Sequence, residues 1–376
     1  MGETTEYKLS DLFNLQMGKT PSRNNAEFWS DGEYKWISIA DLTKTGKYIS
    51  ETKELLSQKA IDESGIAVIP TNTVVMSFKL SIGKTAITSE DMYSNEAIMS
   101  FHDRHVTELL PEYIYYLLLA QRWDEGANKA VMGMTQNKAT LSNRKVRIHS
   151  IIAQKSIVER LDKLQKLIDD RKTQLDELET LIKARFVEIF GNPEDSGNEW
   201  EQKPLSDLLN VIGGYAFKSD QFSEIGGIPV LRIGNINAGV FRPVNMVYWE
   251  DDEKLERYAI YAGDLVMSLT GTVGKDDYGN VCIMGNEYDK YYLNQRNAKL
   301  EIKSGLDKYY LSELLKFECV KKKLTGISRG VRQANISNKD ILNLVVNVPP
   351  IELQNQFAAF VTQVDKLKFV ETIARF

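Results

Sequence analysis

Between Gln154 and Gly191 the apolar side chains recur in alternating steps of four and three. They fall at Ile157, Leu161, Leu164, Ile168, Leu175, Leu178, Ile182 and Ile189, with Arg171 and Arg185 in the two remaining places. A mean step of about 3.5 residues is the period of a coiled-coil seam. Residues 154–190 carry eight basic and eight acidic side chains, so the other faces are mixed and solvated. At about 1.5 Å per residue this predicts a rod of roughly 55 Å, ended by Gly191-Asn-Pro193. The same stepping returns after Pro349-Pro350 at Leu353, Phe357, Phe360, Val364 and Leu367, and runs on through Glu371 and Ala374. That second rod would measure roughly 37 Å. A lone helix with such a stripe would leave it in water. The two seams are therefore expected to pair antiparallel within the chain. Packing of each helix on its own domain, or on another chain, is the alternative.

Outside these rods the pattern changes to short β-branched and aromatic runs. Ala67-Val-Ile69 and Thr73-Val-Val-Met-Ser77 read as strands bounded by Gly, Asn and Pro. The Tyr/Leu-rich stretches near Tyr113–Gln121 and Tyr309–Glu318 read as packed helices. Five blocks occur twice in the same order. Lys8-Leu-Ser-Asp-Leu-Phe-Asn14 matches Pro204-Leu-Ser-Asp-Leu-Leu-Asn210, and Trp36-Ile-Ser-Ile-Ala-Asp-Leu42 matches Val230-Leu-Arg-Ile-Gly-Asn-Ile236. Val75-Met-Ser-Phe-Lys-Leu-Ser-Ile-Gly-Lys84 matches Val266-Met-Ser-Leu-Thr-Gly-Thr-Val-Gly-Lys275. Glu112-Tyr-Ile-Tyr-Tyr matches Lys308-Tyr-Tyr-Leu-Ser, and Leu141-Ser-Asn143 matches Ile336-Ser-Asn338. The offsets are 196, 194, 191, 196 and 195 residues. One domain plus its connector has been used twice. The expected organisation is α+β: a first globular domain over 1–153, a connector helix over 154–190, a second domain over 191–351 and a pairing helix over 352–376.

The 376 residues carry 47 Lys+Arg against 52 Asp+Glu, a net charge of −5, so a nucleic-acid reading must rest on local patches. Two cysteines, Cys282 and Cys319, cannot frame a disulfide scaffold, and they fit a reducing compartment. No apolar run approaches the roughly 18–20 residues of a membrane span, and no signal-peptide pattern opens the chain. A cytoplasmic protein is expected.

Catalytic signatures fail when tested. Gly83-Lys84-Thr85 ends like a phosphate loop, but Phe78 stands where that loop needs Gly; Phe13 stands in the same place before Gly18-Lys19-Thr20. His102-Asp-Arg-His105 lacks a third ligand and reads as a turn, and His149 reads as structural. Asn347-Val-Pro-Pro350 imitates the base-gripping loop of adenine methyltransferases, but Val348 breaks it and Ile351 replaces the aromatic. Glu201-Gln-Lys203 only faintly imitates a nuclease metal motif. No cofactor and no metal are expected.

Two stretches are locally basic. Residues 316–332 hold Lys316, Lys321, Lys322, Lys323, Arg329 and Arg332 against Glu318; residues 121–147 hold Arg122, Lys129, Lys138, Arg144, Lys145 and Arg147 against Asp124 and Glu125. Each contains a glycine followed by glutamine, Gly133-Met-Thr135-Gln136 and Gly330-Val-Arg332-Gln333. Lys and Arg neutralise phosphates, Gln and Arg read base edges, and Gly admits close backbone approach. Loop positions add Lys19, Ser22 and Arg23, then Lys79 and Lys84, in the first copy. Lys218 and Ser219, then Thr270, Thr272 and Lys275, are added in the second. A solvated helix face and ordinary turn chemistry would explain the same residues.

With Leu9-Ser-Asp-Leu12, Gly18-Lys-Thr-Pro-Ser22, Thr270-Gly-Thr-Val-Gly-Lys275, Phe190-Gly-Asn-Pro193 and Val348-Pro-Pro-Ile-Glu-Leu-Gln354 in this order, the chain resembles the specificity subunit of type I restriction–modification systems over essentially its whole length. The first copy departs from the pattern, having Ser150-Ile-Ile-Ala153 in place of the Pro-Pro leader. The resemblance implies two target-recognition domains, each reading one half of an asymmetric, split site on double-stranded DNA. It implies that paired helices set the separation of the halves and dock methylation subunits, two in number, with restriction subunits added. Methyl donor and ATP would belong to those subunits, so this chain would be non-catalytic. The rivals are a stand-alone methyltransferase or nuclease with an unrecognised site, and a coiled-coil scaffold joining protein-binding domains.

Overall fold

The computed structural model describes residues 4–123, 128–130, 133–135, 137–195, 200–236, 239–326 and 333–373. They divide into two compact units, 1–169 and 170–376. In the first, Thr4–Lys8 pairs antiparallel with Lys145–His149, so the strands that open and close the unit lie side by side. Leu9–Leu12 then makes one helical turn with both leucines fully buried, and the Asp11 carboxylate accepts the Lys8 N–H at 2.9 Å. The next strand edges a five-stranded sheet in the order Phe13–Met17, Ile98–Asp103, Val74–Ser77, Thr85–Thr88, Tyr48–Ile49. Val74-Val-Met-Ser77 shows no polar alternation because both its faces are covered. Val74 and Met76 pack with Phe13, Phe101 and Tyr113, while Val75 packs with Ile49, Ala86 and Ile98. A smaller sheet sets Tyr34–Ile37 antiparallel to Glu54–Leu56 and parallel to Tyr93–Ser94.

The second unit repeats this wiring. Glu201–Pro204 pairs with Val345–Val348, and Leu205–Leu208 makes the buried helical turn. The main sheet runs Leu209–Gly213, Asn297–Ile302, Leu265–Ser268, Val281–Ile283. Ile228–Leu231 lies parallel to Tyr291–Leu293 as Tyr34–Ile37 does to Tyr93–Ser94.

Two of the duplicated blocks are corrected by hydrogen bonding. The short helix Lys138–Asn143 is capped by Asn137 and the short helix Asn338–Leu342 by Ser337. Arg144 O accepts from Leu9 N and Leu344 O from Leu205 N, both at 2.9 Å. Leu141 therefore corresponds to Ile341, both buried, and not to Ile336. The Ser-Asn pair that suggested the alignment is the end of one helix and the start of the other. Likewise the Tyr-rich helices start at Pro111 and Lys308, which pairs Tyr113 with Tyr310 and shifts that block by one residue.

The connector is a single helix, Ile151–Phe190, and the last helix is Ile351–Ile373. In the first unit Ile157 and Val158 pack beneath the globular core, and the Asp162 carboxylate accepts from Lys47 and from the Tyr116 hydroxyl, both at 2.6 Å. In the second unit the last helix pairs antiparallel with the end of the connector: Phe186 and Phe190 meet Phe357, while Glu179 meets Lys368 further along. The expected seam supplies much of this contact: Ile182, Phe357 and Val364 are buried, and Leu178, Ile189, Leu353 and Phe360 pack partly buried against the same core. Ile182, Phe186 and Phe190 are buried, whereas Arg185 turns outward to Glu188. On the last helix Phe357, Val361 and Val364 are buried and Leu367 is 55% exposed. Phe186, Phe190 and Val361 widen the contact beyond the expected positions. Seam positions Leu164 and Ile168 stay exposed, as does Leu167. The described last helix has 23 residues against 40 in the connector, with Lys368 opposite Glu179.

Candidate nucleic-acid interface

In each unit, two candidate segments far apart in sequence come together as one β-ribbon. Lys79–Leu80 pairs antiparallel with Gly133–Thr135, placing Lys79 opposite Thr135. Thr270–Thr272 pairs with Gln333–Asn335, placing Thr270 opposite Asn335 and Thr272 opposite Gln333. The ribbons correspond through the shared Met-Ser block, so Thr135 is the counterpart of Asn335. The Gly-to-Gln spacing that first related Gln136 to Gln333 is thus out of register by three. Gln136, Arg329 and Arg332 lie outside the described residues.

A buried serine closes the turn that follows each ribbon's first strand. Ser77 Oγ accepts the Lys84 N–H and Ser268 Oγ accepts the Asn280 N–H, both at 3.1 Å. Gly83 has φ +89°, and a Cβ there would stand 2.8 Å from the Trp123 ring, so no other residue fits. In the second unit the Asp277 carboxylate accepts from Thr272 N at 2.8 Å and Thr272 Oγ1 at 2.9 Å. The backbone bond from Thr272, aided by its hydroxyl, holds that carboxyl below the usual range. Thr272 is exposed but held, while Thr270 is buried, its hydroxyl facing Asn335 Oδ1 at 3.4 Å. Lys84, Lys138, Lys218, Lys275 and Lys322 are exposed, and Lys79 is half-buried near the Phe78 ring.

The basic strip of residues 316–332 is weaker than its composition suggested. Lys321 is 8% exposed and spends its ammonium on Asp276 and, at 2.6 Å, on Asn280 Oδ1. Lys316 is bound at 2.6 Å to Glu313, itself buried; desolvation raises that carboxyl despite the lysine. Burial works to raise the nearby Glu179 carboxyl, but the Lys368 ammonium at 2.7 Å outweighs it and holds it low. Lys322 pairs with Glu318 at 2.6 Å but is exposed. Lys275, Lys321 and Lys322 border a cavity of about 880 Å³ with Gly274, Gly279 and Gly326. The corresponding first-unit stretch is also partly occupied: Lys145 pairs with Glu6, and Arg144 lies 5.8 Å from the Trp123 ring centroid.

The loop of Lys19, Ser22 and Arg23 is pinned to two indoles. Trp36 Nε1 donates to Lys19 O at 3.1 Å and Trp29 Nε1 to Ser22 O at 3.2 Å. The Arg23 guanidinium lies 3.7 Å from the Trp29 ring centroid and grips Glu54 with both terminal nitrogens. Lys19 Nζ donates to Ser64 O. Arg23 and Lys19 therefore shape this loop while remaining exposed, as Ser22 does.

Sequence reasoning missed the turn beside that loop. Glu96, exposed, accepts from the Thr20 hydroxyl and lies within electrostatic reach of both Arg23 and Lys79, so it links the loop to the ribbon. Gln295 and exposed Arg296 hold the same place in the second unit, where Gln295 N donates to Tyr215 O and Arg296 O accepts from Leu269 N. The strand before each turn touches a glycine: a Cβ on Gly18 would stand 2.3 Å from Asn95 O, and one on Gly214 2.2 Å from Asn294 O. The signal was Tyr93-Ser-Asn95 against Tyr292-Leu-Asn294, a further repeated block.

The rejected catalytic motifs have structural uses. His102 Nε2 bonds Ser100 Oγ at 2.9 Å, and burial keeps that imidazole below the usual range. His105, 3.4 Å from Asp103, is exposed, and His149 Nδ1 meets the Tyr113 hydroxyl at 2.8 Å. Asn347 accepts from Gln202 at 3.1 Å across a strand pair. Among the described residues no group of three His, Cys, Asp or Glu is placed to hold a metal, and no helix is long and apolar enough to cross a membrane.

Two similarly wired heads, each followed by a long helix and each bearing a ribbon with glycine and hydroxyl residues, show a protein built by duplication. The type I restriction modification DNA specificity domain matches twice, over residues 1–180 and 197–374, and the chain belongs to that family. It is 25% identical to the type I restriction enzyme MjaVIII specificity subunit of Methanocaldococcus jannaschii, over 96% of this chain and 85% of that one. It is 27% identical to the MjaIX specificity subunit of the same organism, over 62% of this chain and 58% of the relative, a match spanning little more than half of that protein. The crystal structure of a type I restriction–modification S subunit from M. genitalium superposes with TM-score 0.55 over 99% of this chain and 92% of that one; at 14% identity this speaks to fold alone. Both of these relatives carry the name specificity subunit.

Proposed function

We propose that this chain is the sequence-recognition subunit of a type I restriction–modification complex. Its first domain, over 1–153, and its second, over 191–351, each read one half of a split duplex site, and the helices over 154–190 and 352–376 space them. The observation that supports this most is the convergence, in both units, of a Met-Ser…Gly-Lys turn with a second strand from a locally basic segment. Exposed Lys84, Lys138, Lys275 and Lys322 are the phosphate contacts in this reading, and Ser22, Thr135, Gln136, Thr272, Arg332 and Gln333 are the base-edge contacts. The heads differ at equivalent places, Glu96 against Gln295 and Ala97 against Arg296, so the two half-sites differ and the target is asymmetric. Methylation subunits, two of them, and restriction subunits are the partners that complete the activity. Enrichment of duplexes from a random pool, with the chain assembled on its methylation partner, should yield one bipartite asymmetric motif and salt-sensitive binding. A complex that prefers no sequence would end this reading. So would methyl transfer or cleavage by the chain alone.

A further inference from the structure

Each long helix carries, as its fourth residue, a glutamine with no solvent exposure: Gln154 and Gln354. Their surroundings match bond for bond. Gln154 Oε1 accepts the N–H of Leu110, the residue capping the Tyr-rich helix, at 3.0 Å. Its Nε2 donates to Glu108 O and to His149 O, both at 2.9 Å. Gln354 Oε1 accepts the N–H of Asp307, the equivalent cap, at 2.7 Å. Its Nε2 donates to Gly305 O at 3.2 Å and Pro349 O at 2.7 Å. Both amide hydrogens and one oxygen lone pair are thus used in each case. A tyrosine completes each joint. Tyr113 donates to Arg147 O at 3.2 Å and Tyr310 to Asn347 O at 2.9 Å, two residues before the carbonyl its glutamine takes.

Three segments meet at each glutamine: the closing strand of the globular head, the loop entering its Tyr-rich helix, and the first turn of the long helix. A buried side chain bonded to all three leaves the head no low-energy rotation about the helix start, because any rotation strands buried backbone groups. The first copy keeps this arrangement although its sequence, Ser150-Ile-Ile-Ala-Gln154, lacks the Pro-Pro lead of the second. We infer that Gln154 and Gln354 are paired positioning residues that weld each recognition head to its own helix, so that the gap between half-sites is set by the helices and not by flexing at the joints. The inference rests on the recognition role proposed above.

The test uses the full chain assembled with its methylation partner and the duplex selected by the wild type, resynthesised with the gap lengthened or shortened by one base pair. Gln154→Met and Gln354→Met keep an unbranched side chain but remove the bonds. They should select the same half-site bases while the preference for the native gap falls roughly three- to tenfold, the factor expected for one buried hydrogen bond. Tyr113→Phe and Tyr310→Phe, which change volume little, should relax the gap in the same direction and serve if the glutamine variants do not fold. Ile341→Val, a core change away from either joint, should lower stability and leave gap preference intact. Folded joint variants with wild-type gap preference would overturn the inference, as would equal relaxation by Ile341→Val. A wild-type complex that selects no bipartite site would instead remove the recognition reading itself.

Discussion

Truncation of Phe186 to alanine should unfold the second unit at far lower denaturant than the wild type. Phe186 is 1% exposed, and its ring centroid lies 4.9 Å from those of Phe190 and Phe317, and 5.4 Å from those of Tyr310 and Phe357. Those partners come from the connector, the Tyr-rich helix, the residue that follows it, and the last helix, so one ring joins three helices. A buried Phe→Ala change costs about 3–5 kcal/mol. With a urea dependence of ~2 kcal/mol/M, the midpoint should fall by about 1.5–2.5 M. Trp200 is a built-in reporter, its indole N–H donating to Phe190 O at 2.9 Å, and its fluorescence follows this unit. Leu164→Ala is the internal control. Leu164 belongs to the heptad series read from the sequence, as Phe186 does not, but it is 55% exposed, so its truncation should stay within about 0.5 kcal/mol. A small shift for Phe186→Ala, or an equal one for Leu164→Ala, would refute the conclusion that the end of the connector is packed against the last helix while Leu164 faces solvent.

Three further outcomes follow from the same structure. Lys275→Ala and Lys322→Ala should each reduce the slope of log binding constant against log salt by about 1, whereas Lys321→Met should lower stability and leave that slope unchanged, because its ammonium is committed to Asp276 and Asn280; fluorescence anisotropy across a salt series separates them. Arg332→Ala and Gln333→Ala should weaken recognition of one half-site only, scored by competition with duplexes mutated in either half, and equal loss at both halves would contradict one reader per unit. Burial pushes the Cys282 thiol up to about 11, so in native protein at pH 8 a thiol reagent should modify Cys319 before Cys282, and Cys282 only on unfolding; mass spectrometry of labelled peptides checks this.

The sequence by itself determined the duplication, the α+β heads and the two long helices. Each of these is written locally, as a repeated block or as a period of apolar residues, and a period survives whatever the partner is. It also led to the family, because the order of loose motifs is a property of the chain alone. What it misjudged depends on which distant segment arrives beside a residue. Lys316 and Lys321 counted as free charge until Glu313, Asp276 and Asn280 were brought beside them. The hold of Arg23 on Glu54 and Trp29 is likewise invisible until the fold brings them together, though the side chain stays exposed. The Ser-Asn repeat suggested one alignment, and the hydrogen bonds of Leu9 and Leu205 imposed another. Gln154 and Gln354 carried no periodic signal at all; their meaning lies in three backbone partners spread over some fifty residues, which only the folded chain collects at one point.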